Sequence, residues 1–174
     1  MYLDIVILSH LRIGPVHGYE LKRKVSATTA FILNNNTLYP ALRRFEESGA
    51  VRKTAVQQEG RPPRHVYELT DDGREQLHDM IAELPAELAG SEEEFLSRLG
   101  LFDELDPTER QGILARRDAA LSARLEHLRG LAAHTGTVPE HRRWGGRVLA
   151  ELIGRTRRER EWLAELGRSS EEPG

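Results

Sequence analysis

Thr37, Tyr39, Arg43 and Arg44 are the residues whose types and spacing suit chemistry, and that chemistry is recognition rather than catalysis. A hydroxyl, an aromatic ring and two guanidinium forks can reach phosphates and base edges when a helix end enters a major groove. All four lie off the apolar stripe of Leu38, Leu42 and Phe45, which recur at i, i+4 and i+7 and must face a core. The stretch from Asn35 to Val51 therefore predicts a short helix with both ends specified. Thr37 or Asn36 caps its start, and Pro40 sits in the first turn, where a missing N–H costs least. Gly49 stops the helix, and Val51 opens an extended segment. An ordinary surface helix with solvated arginines would carry the same residues, so the flanks must decide.

Upstream, Tyr2 to Arg12 reads as a helix from the recurrence of Leu3, Val6, Ile7 and Leu11, ended by Gly14-Pro15. It is apolar enough to need cover from more than its own small domain. A second helix starts at His17-Gly18-Tyr19-Glu20-Leu21 and runs to about Val25, with Lys22, Arg23 and Lys24 outward. A connector from Ser26 to Asn34 carries Phe31, Ile32 and Leu33. Downstream, Val51 to Gln57 and Arg64 to Leu69 form a hairpin around a turn from Gln58 to Pro63, with a basic tip. Thr70 caps a fourth helix with Leu77, Met80, Ile81 and Leu84 as its buried stripe.

Charge separates the halves. Residues 1–75 carry 11 Lys+Arg against 9 Asp+Glu, and the remainder 14 against 19, so a mildly basic head precedes an acidic body within a formal charge of −3. Between Lys22 and Arg64, nine basic residues face only Glu46, Glu47 and Glu59. That pattern suits a polyanion-binding module joined to an interaction domain. The chain has no cysteine, which excludes disulfides and thiolate metal sites and fits a reducing cytoplasm. No apolar run reaches the roughly 18 residues of a membrane helix, and Asp4 near the N-terminus argues against an export signal.

Three helices, a two-stranded ribbon and a helix make the order of a winged helix-turn-helix. The residues also carry a family resemblance. His17-Gly18-Tyr19-Glu20-Leu21, then Thr37-Leu38-Tyr39-Pro40-Ala41-Leu42-Arg43-Arg44-Phe45-Glu46, then Tyr67-x-Leu69-Thr70-x-x-Gly73 resemble the PadR-type transcriptional regulators. Departures are Phe45, where the family usually has leucine, and Val66, where an aromatic often precedes the tyrosine. The resemblance implies a dimeric regulator, most often a repressor, that binds a near-palindromic operator on double-stranded DNA.

From Pro85 the composition turns helical. Ser91-Glu92-Glu93-Glu94 has the capping-box form, opening a helix to about Phe102. Asp106-Pro107-Thr108-Glu109 opens a long helix to about Ala133, whose Leu114, Leu121, Leu125, Leu128 and Ala132 follow a coiled-coil-like seam. After a turn at Thr135 to Pro139, a last helix runs from Glu140 to about Gly167, apolar at Trp144, Val148, Leu149, Leu152, Ile153, Trp162, Leu163 and Leu166. Two such helices cannot bury both seams alone, so a second copy is expected to supply the missing surface. The family branch with a long helical C-terminal region, which this half resembles, dimerises there.

The expected fold is therefore mainly α with an α+β wing. Residues 1–84 form a winged helix-turn-helix DNA-binding domain, residues 91–167 a helical dimerisation domain, and residues 168–174 a frayed tail. The DNA-binding set is Asn36, Thr37, Tyr39, Arg43 and Arg44 at the major groove, Arg61 and Arg64 at the flanking groove, and Lys22 and Lys24 on the backbone. Tyr39 suits a sugar or base contact as well as packing on the connector; Tyr19 and Tyr67 are expected in the core. Dimerisation is assigned to Leu3, Ile7, Leu114, Leu121, Leu125, Leu128, Trp144, Val148, Leu152, Trp162 and Leu166. Trp144 and Trp162 suit plain interface packing first and a cavity for a small aromatic effector second. Seven histidines without ligand spacing, and no Gly-rich phosphate loop or nucleophile motif, leave no expectation of a metal, a cofactor or an enzyme. The competing reading is a winged-helix adaptor that binds protein and not DNA.

Overall fold

The structure, a computed structural model, describes residues 1–29, 35–58, 61–135 and 143–169. It divides into two units, Met1–Ala82 with Ser97–Leu101, and Glu83–Leu96 with Phe102–Gly174.

In the first unit the order is α1 (Tyr2–Arg12), β1 (Val16–His17), α2 (Gly18–Thr29), α3 (Asn35–Glu47), β2 (Val51–Gln58), β3 (Arg61–Leu69) and α4 (Asp71–Ala82). In its core Ile5, Ile7, Leu8, Leu11, Leu21, Val25, Leu38, Leu42 and Phe45 are buried almost completely, and so is Arg98 of the Ser97–Leu101 segment. Helix α1 is covered by α2, α4 and β3, all within this unit. Ile7, expected at a dimer interface, is thereby 0% exposed within the single chain and has no surface left for a partner; Leu3 is half-buried.

The expected two-stranded ribbon is a three-stranded antiparallel sheet in the order β1-β3-β2. Val16 pairs with Tyr67 and His17 with Val66, a pairing too short to leave an alternating pattern in the sequence. The hairpin is also tighter than expected. Pairing continues past Val56↔Arg64 to Gln58↔Arg61, so Pro62 and Pro63 lie opposite Gln57 at an irregularity in the ladder. Prolines cannot donate to a ladder, and a bulge is where a strand accommodates them.

Helix α3 starts earlier than expected. Its first residue is Asn35, so Thr37 and Asn36 lie inside it rather than capping it, and Pro40 falls in the second turn. That deletes one early backbone bond, which the burial of Leu38, Ala41, Leu42 and Phe45 offsets. Helix α2 likewise extends past Val25 to Thr29; the rest of the connector, with Phe31, Ile32 and Leu33, lies outside the described residues. The far end of α3 matches expectation, with Gly49 in the left-handed region at φ +79°. Thr70 then caps α4, its Oγ1 accepting the Gly73 N–H at 3.0 Å and donating to the Gly49 carbonyl at 2.7 Å. Gly73 is obligatory, because a Cβ there would stand 2.0 Å from the Ala50 carbonyl oxygen.

Helix α5 (Glu92–Leu99), whose last turn is counted with the first unit, ends before the expected Phe102; in the second unit a 3-10 turn at Phe102–Glu104 leads to α6 (Pro107–Thr135) and α7 (Arg143–Ser169). Ser91 Oγ accepts the Glu94 N–H at 3.2 Å. Asp106 and Glu109 form a reciprocal capping box, at 2.9 Å from the Glu109 N–H and 2.8 Å from the Asp106 N–H. Helices α6 and α7 are antiparallel, because Gln111 near the start of α6 meets Gly167 near the end of α7. The turn expected at Thr135 to Pro139 lies largely outside the described residues, while Arg168 and Ser169, expected in a frayed tail, continue α7.

The leucine seam is where the structure departs most from expectation. Leu114, Leu121, Leu125 and Leu128 are buried within the single chain, chiefly under α7, so no second copy is needed to cover them. What stays open is elsewhere: Trp144 is 70% exposed, Val148 58% and Leu131 44%. Leu152 and Leu166 are half-buried, and Trp162 packs edge-to-face on Phe95 with ring centroids 6.1 Å apart.

Candidate nucleic-acid interface

Helix α3 presents two faces with separate duties. Leu38, Ala41, Leu42 and Phe45 point inward, while Asn36, Thr37, Tyr39, Arg43 and Arg44 are exposed. The basic residues expected to act together are mostly already engaged. Arg43 Nε donates to Glu47 at 2.9 Å one turn along α3. Arg44 reaches away to Asp4 on α1 at 2.5 Å, its guanidinium lying over the Phe45 ring. Lys22 Nζ donates to the Asn35 side chain at 2.9 Å, which ties α2 to the start of α3. Lys24 pairs with Glu20 at 3.1 Å. On the hairpin, Arg52 pairs with Glu68 and Lys53 with Glu46, both loosely. Exposed pairs of this kind hold a side chain weakly, at about 1 kcal/mol or less, so a polyanion can displace the carboxylate. The Arg61 side chain lies outside the described residues.

Arg64 and Arg23 differ from the rest, having no ion-pair partner among the described residues. Both line one concavity of about 460 Å³ where the start of α2, the exposed face of α3 and strand β3 converge. Its aromatic wall is Tyr19, Tyr39 and Tyr67, with His17 and His65 beside them. Gly18 lets the wall close, since a Cβ there would meet the Tyr67 ring at 3.2 Å and the Tyr39 ring at 3.3 Å. Burial pushes the Tyr67 phenol above its ordinary pKa, with charge from Tyr39 and Glu46 adding to it.

Sequence reasoning placed Tyr67 in the core, where it is 5% exposed. It placed Tyr19 there too, and that is corrected: Tyr19 is 79% exposed. The signal was present. Leu21 and Val25 mark the inner face of α2, and two residues along a helix turn a side chain by about 200°. Tyr19 thus points away from Leu21. Arg23 was read as one of three outward cations, but its neighbourhood could not be read without β1 and β3.

A three-stranded sheet with a helix pair ahead of its hairpin, and an exposed polar face on the second helix of that pair, defines a winged helix-turn-helix. Residues 7–79, which lie within the first unit, match the model of the transcriptional regulator PadR-like family. Over 85 residues the chain is 38% identical to a probable transcriptional regulator of Mycobacterium tuberculosis, a match covering 48% of this chain and 45% of that protein. The chain thus matches less than half the length of that relative. Among solved structures it is similar to Bacillus subtilis PadR in complex with operator DNA, at 20% identity over 98% of this chain and all of that one, with a TM-score of 0.45. It is also similar to a transcriptional regulator from Clostridium thermocellum, at 28% identity over 45% of this chain and 77% of that one, with a TM-score of 0.41. No helix among the described residues is long and apolar enough to cross a membrane.

Proposed function

We propose that this protein is a cytoplasmic, DNA-binding transcriptional regulator that acts as a homodimer, most simply as a repressor on a near-palindromic operator. The observation that carries the reading is the division of α3: its apolar stripe is buried, and its opposite face offers Asn36, Thr37, Tyr39 and Arg43 beside a basic hairpin. Those four side chains read the major groove, Lys22 and Lys24 hold the backbone, and Arg61 and Arg64 meet the flanking groove. Arg44 joins them only by giving up Asp4. The exposed Trp144 and Val148 on α7 support a contact between copies, with Leu152 and Leu166 at its margin. Two copies set two heads at a fixed spacing, and a small aromatic effector seated by Trp144 would act by changing that spacing.

Selection of fragments from the host genome provides the operator, and Arg43→Ala then tests the reader. Loss of one base-reading arginine costs about 1–3 kcal/mol and relaxes preference at one position. Unchanged affinity and unchanged preference would favour the adaptor reading. Val148→Asp tests the dimer: we expect sedimentation as a monomer, and a stable dimer would move the interface elsewhere.

A further inference from the structure

The concavity beside α3 is built for an anion on an aromatic floor. Of the eight described basic residues from Lys22 to Arg64, Lys22, Lys24, Arg43, Arg44, Arg52 and Lys53 each have an intramolecular partner. Arg23 and Arg64 have none among the described residues, and these two line the same concavity from opposite elements, α2 and β3. Among the described side chains of the segment, the two guanidinium groups without a partner thus face one hollow. Among the described residues, the carboxylate in its lining is Glu20, which is offset by Lys24 at 3.1 Å.

The walls narrow the occupant. Three tyrosines give an apolar surface, and Tyr19 is 79% exposed at the rim, carrying a phenol that has no hydrogen-bond partner among the described residues. A bare inorganic anion has no use for aromatic faces, and a purely apolar ligand has no use for two guanidinium groups. A sugar ring with a phosphate on either side matches both: its C–H face packs on tyrosine, and its phosphates take the arginines. Tyr39 links the hollow to α3, since it belongs to the exposed face of that helix and to this wall.

We propose that this concavity is a sugar–phosphate clamp for duplex DNA, in which Arg23 and Arg64 bind backbone phosphates and Tyr19 donates its hydroxyl to one of them. The inference rests on the DNA-binding reading above and adds Tyr19 and Arg23 to the interface. The clamp sets the register of α3 in the groove and carries no base preference of its own. Because it grips the backbone, it acts on every sequence alike.

The test measures binding of the full chain to a short duplex of random sequence at several salt concentrations, for wild type, Arg23→Ala/Arg64→Ala, Tyr19→Phe and Arg43→Ala. Each phosphate contact releases about 0.9 counterion, so the double variant should flatten the slope of log affinity against log salt by about two units per head. Tyr19→Phe should lower affinity about threefold or more with no change in melting temperature, since it removes only a hydroxyl from an exposed side chain. Parallel slopes for wild type and the double variant, with affinity for the genome-selected operator still lost in Arg43→Ala, would overturn the clamp and leave the regulator reading intact. No binding of any duplex by wild type, including genome-selected fragments, would overturn both. Deoxyribose 5-phosphate is the control for a soluble ligand: if it binds wild type but not the double variant, and DNA binding is equal in the two, the hollow serves a free sugar phosphate and the DNA clamp fails.

Discussion

Two groups of arginines do opposite work, one tying α6 to α7 and the other exposed on α2, α3 and the hairpin. In the helical unit Arg117 is 1% exposed, with Nε donating to Glu159 at 2.8 Å, Nη1 to the Ala89 carbonyl at 2.8 Å, and the guanidinium over the Phe95 ring. Arg160 on α7 holds Asp118 on α6 through two bonds, at 2.7 and 3.1 Å, and its charged form is favoured by that hydrogen bond. Those cations tie helices together. In the winged unit the cations of α2, α3 and the hairpin stand at the surface, in exposed pairs or in none. A charge that is buried and fully paired fixes one arrangement, whereas an exposed one is available to another molecule. The contrast between these two groups fits the proposed reading, with binding on the winged face and scaffolding between α6 and α7, and substitutions can break it.

The largest effect should come from the winged unit's backbone. Gly73→Val places a side chain where even a Cβ would meet the Ala50 carbonyl at 2.0 Å. The strand-to-α4 corner must then open, and we expect a loss of about 4 kcal/mol or more, enough to unfold this unit alone. Two separate thermal transitions, only one of them shifted, would check it. A wild-type melting curve for Gly73→Val would mean that the corner yields cheaply and the winged unit is less rigid than its packing implies.

Next comes Arg117→Met, which keeps the length of the side chain but leaves Glu159 and the Ala89 carbonyl without their donor. Stranding a partner of a buried pair costs about 3–5 kcal/mol. Glu159 is 25% exposed and can turn to water, so about 2–3 kcal/mol is the expectation. DNA affinity per folded molecule should not change. A weakened salt dependence of binding in this variant would place Arg117 in the wrong class and blur the contrast between the units.

The same contrast explains what the sequence disclosed. Elements bounded by local signals were readable: Thr70 as cap, Gly49 as stop and Asp106 as the cap that opens α6 each act over three or four residues. So was the inner stripe of α3, because helical periodicity alone sets it. What failed depended on distant chain. The strand β1 exists only because β3 passes beside it, and the Tyr19 side chain lines a hollow made by three separate elements. The leucine seam of α6 was visible, but whether α7 or a second copy covers it depends on packing that a heptad pattern does not encode. Ion pairs were the least readable. Nothing in the order of residues brings Asp4 to Arg44 or Glu159 to Arg117.

The smallest effect is the sharpest test, because it asks whether a paired cation of the winged unit is out of use. Arg44 is 59% exposed in its side chain and Asp4 24%, so their ion pair contributes little, about 1 kcal/mol or less. Asp4→Asn keeps the shape and removes the charge, and the melting temperature should hardly move. Arg44 then has two options. If it is a strut, it stays over the Phe45 ring, 5.2 Å from the centroid, and DNA binding keeps its salt slope. If it is a reserve contact, freeing it steepens the slope by about 0.9 per head, the value for one more phosphate. We expect the first outcome, because Arg44 reaches back to α1 whereas Arg43 pairs along α3 itself and stays on its exposed face. A steeper slope in Asp4→Asn, abolished again by adding Arg44→Ala, would move Arg44 into the interface and make Asp4 a built-in competitor of DNA.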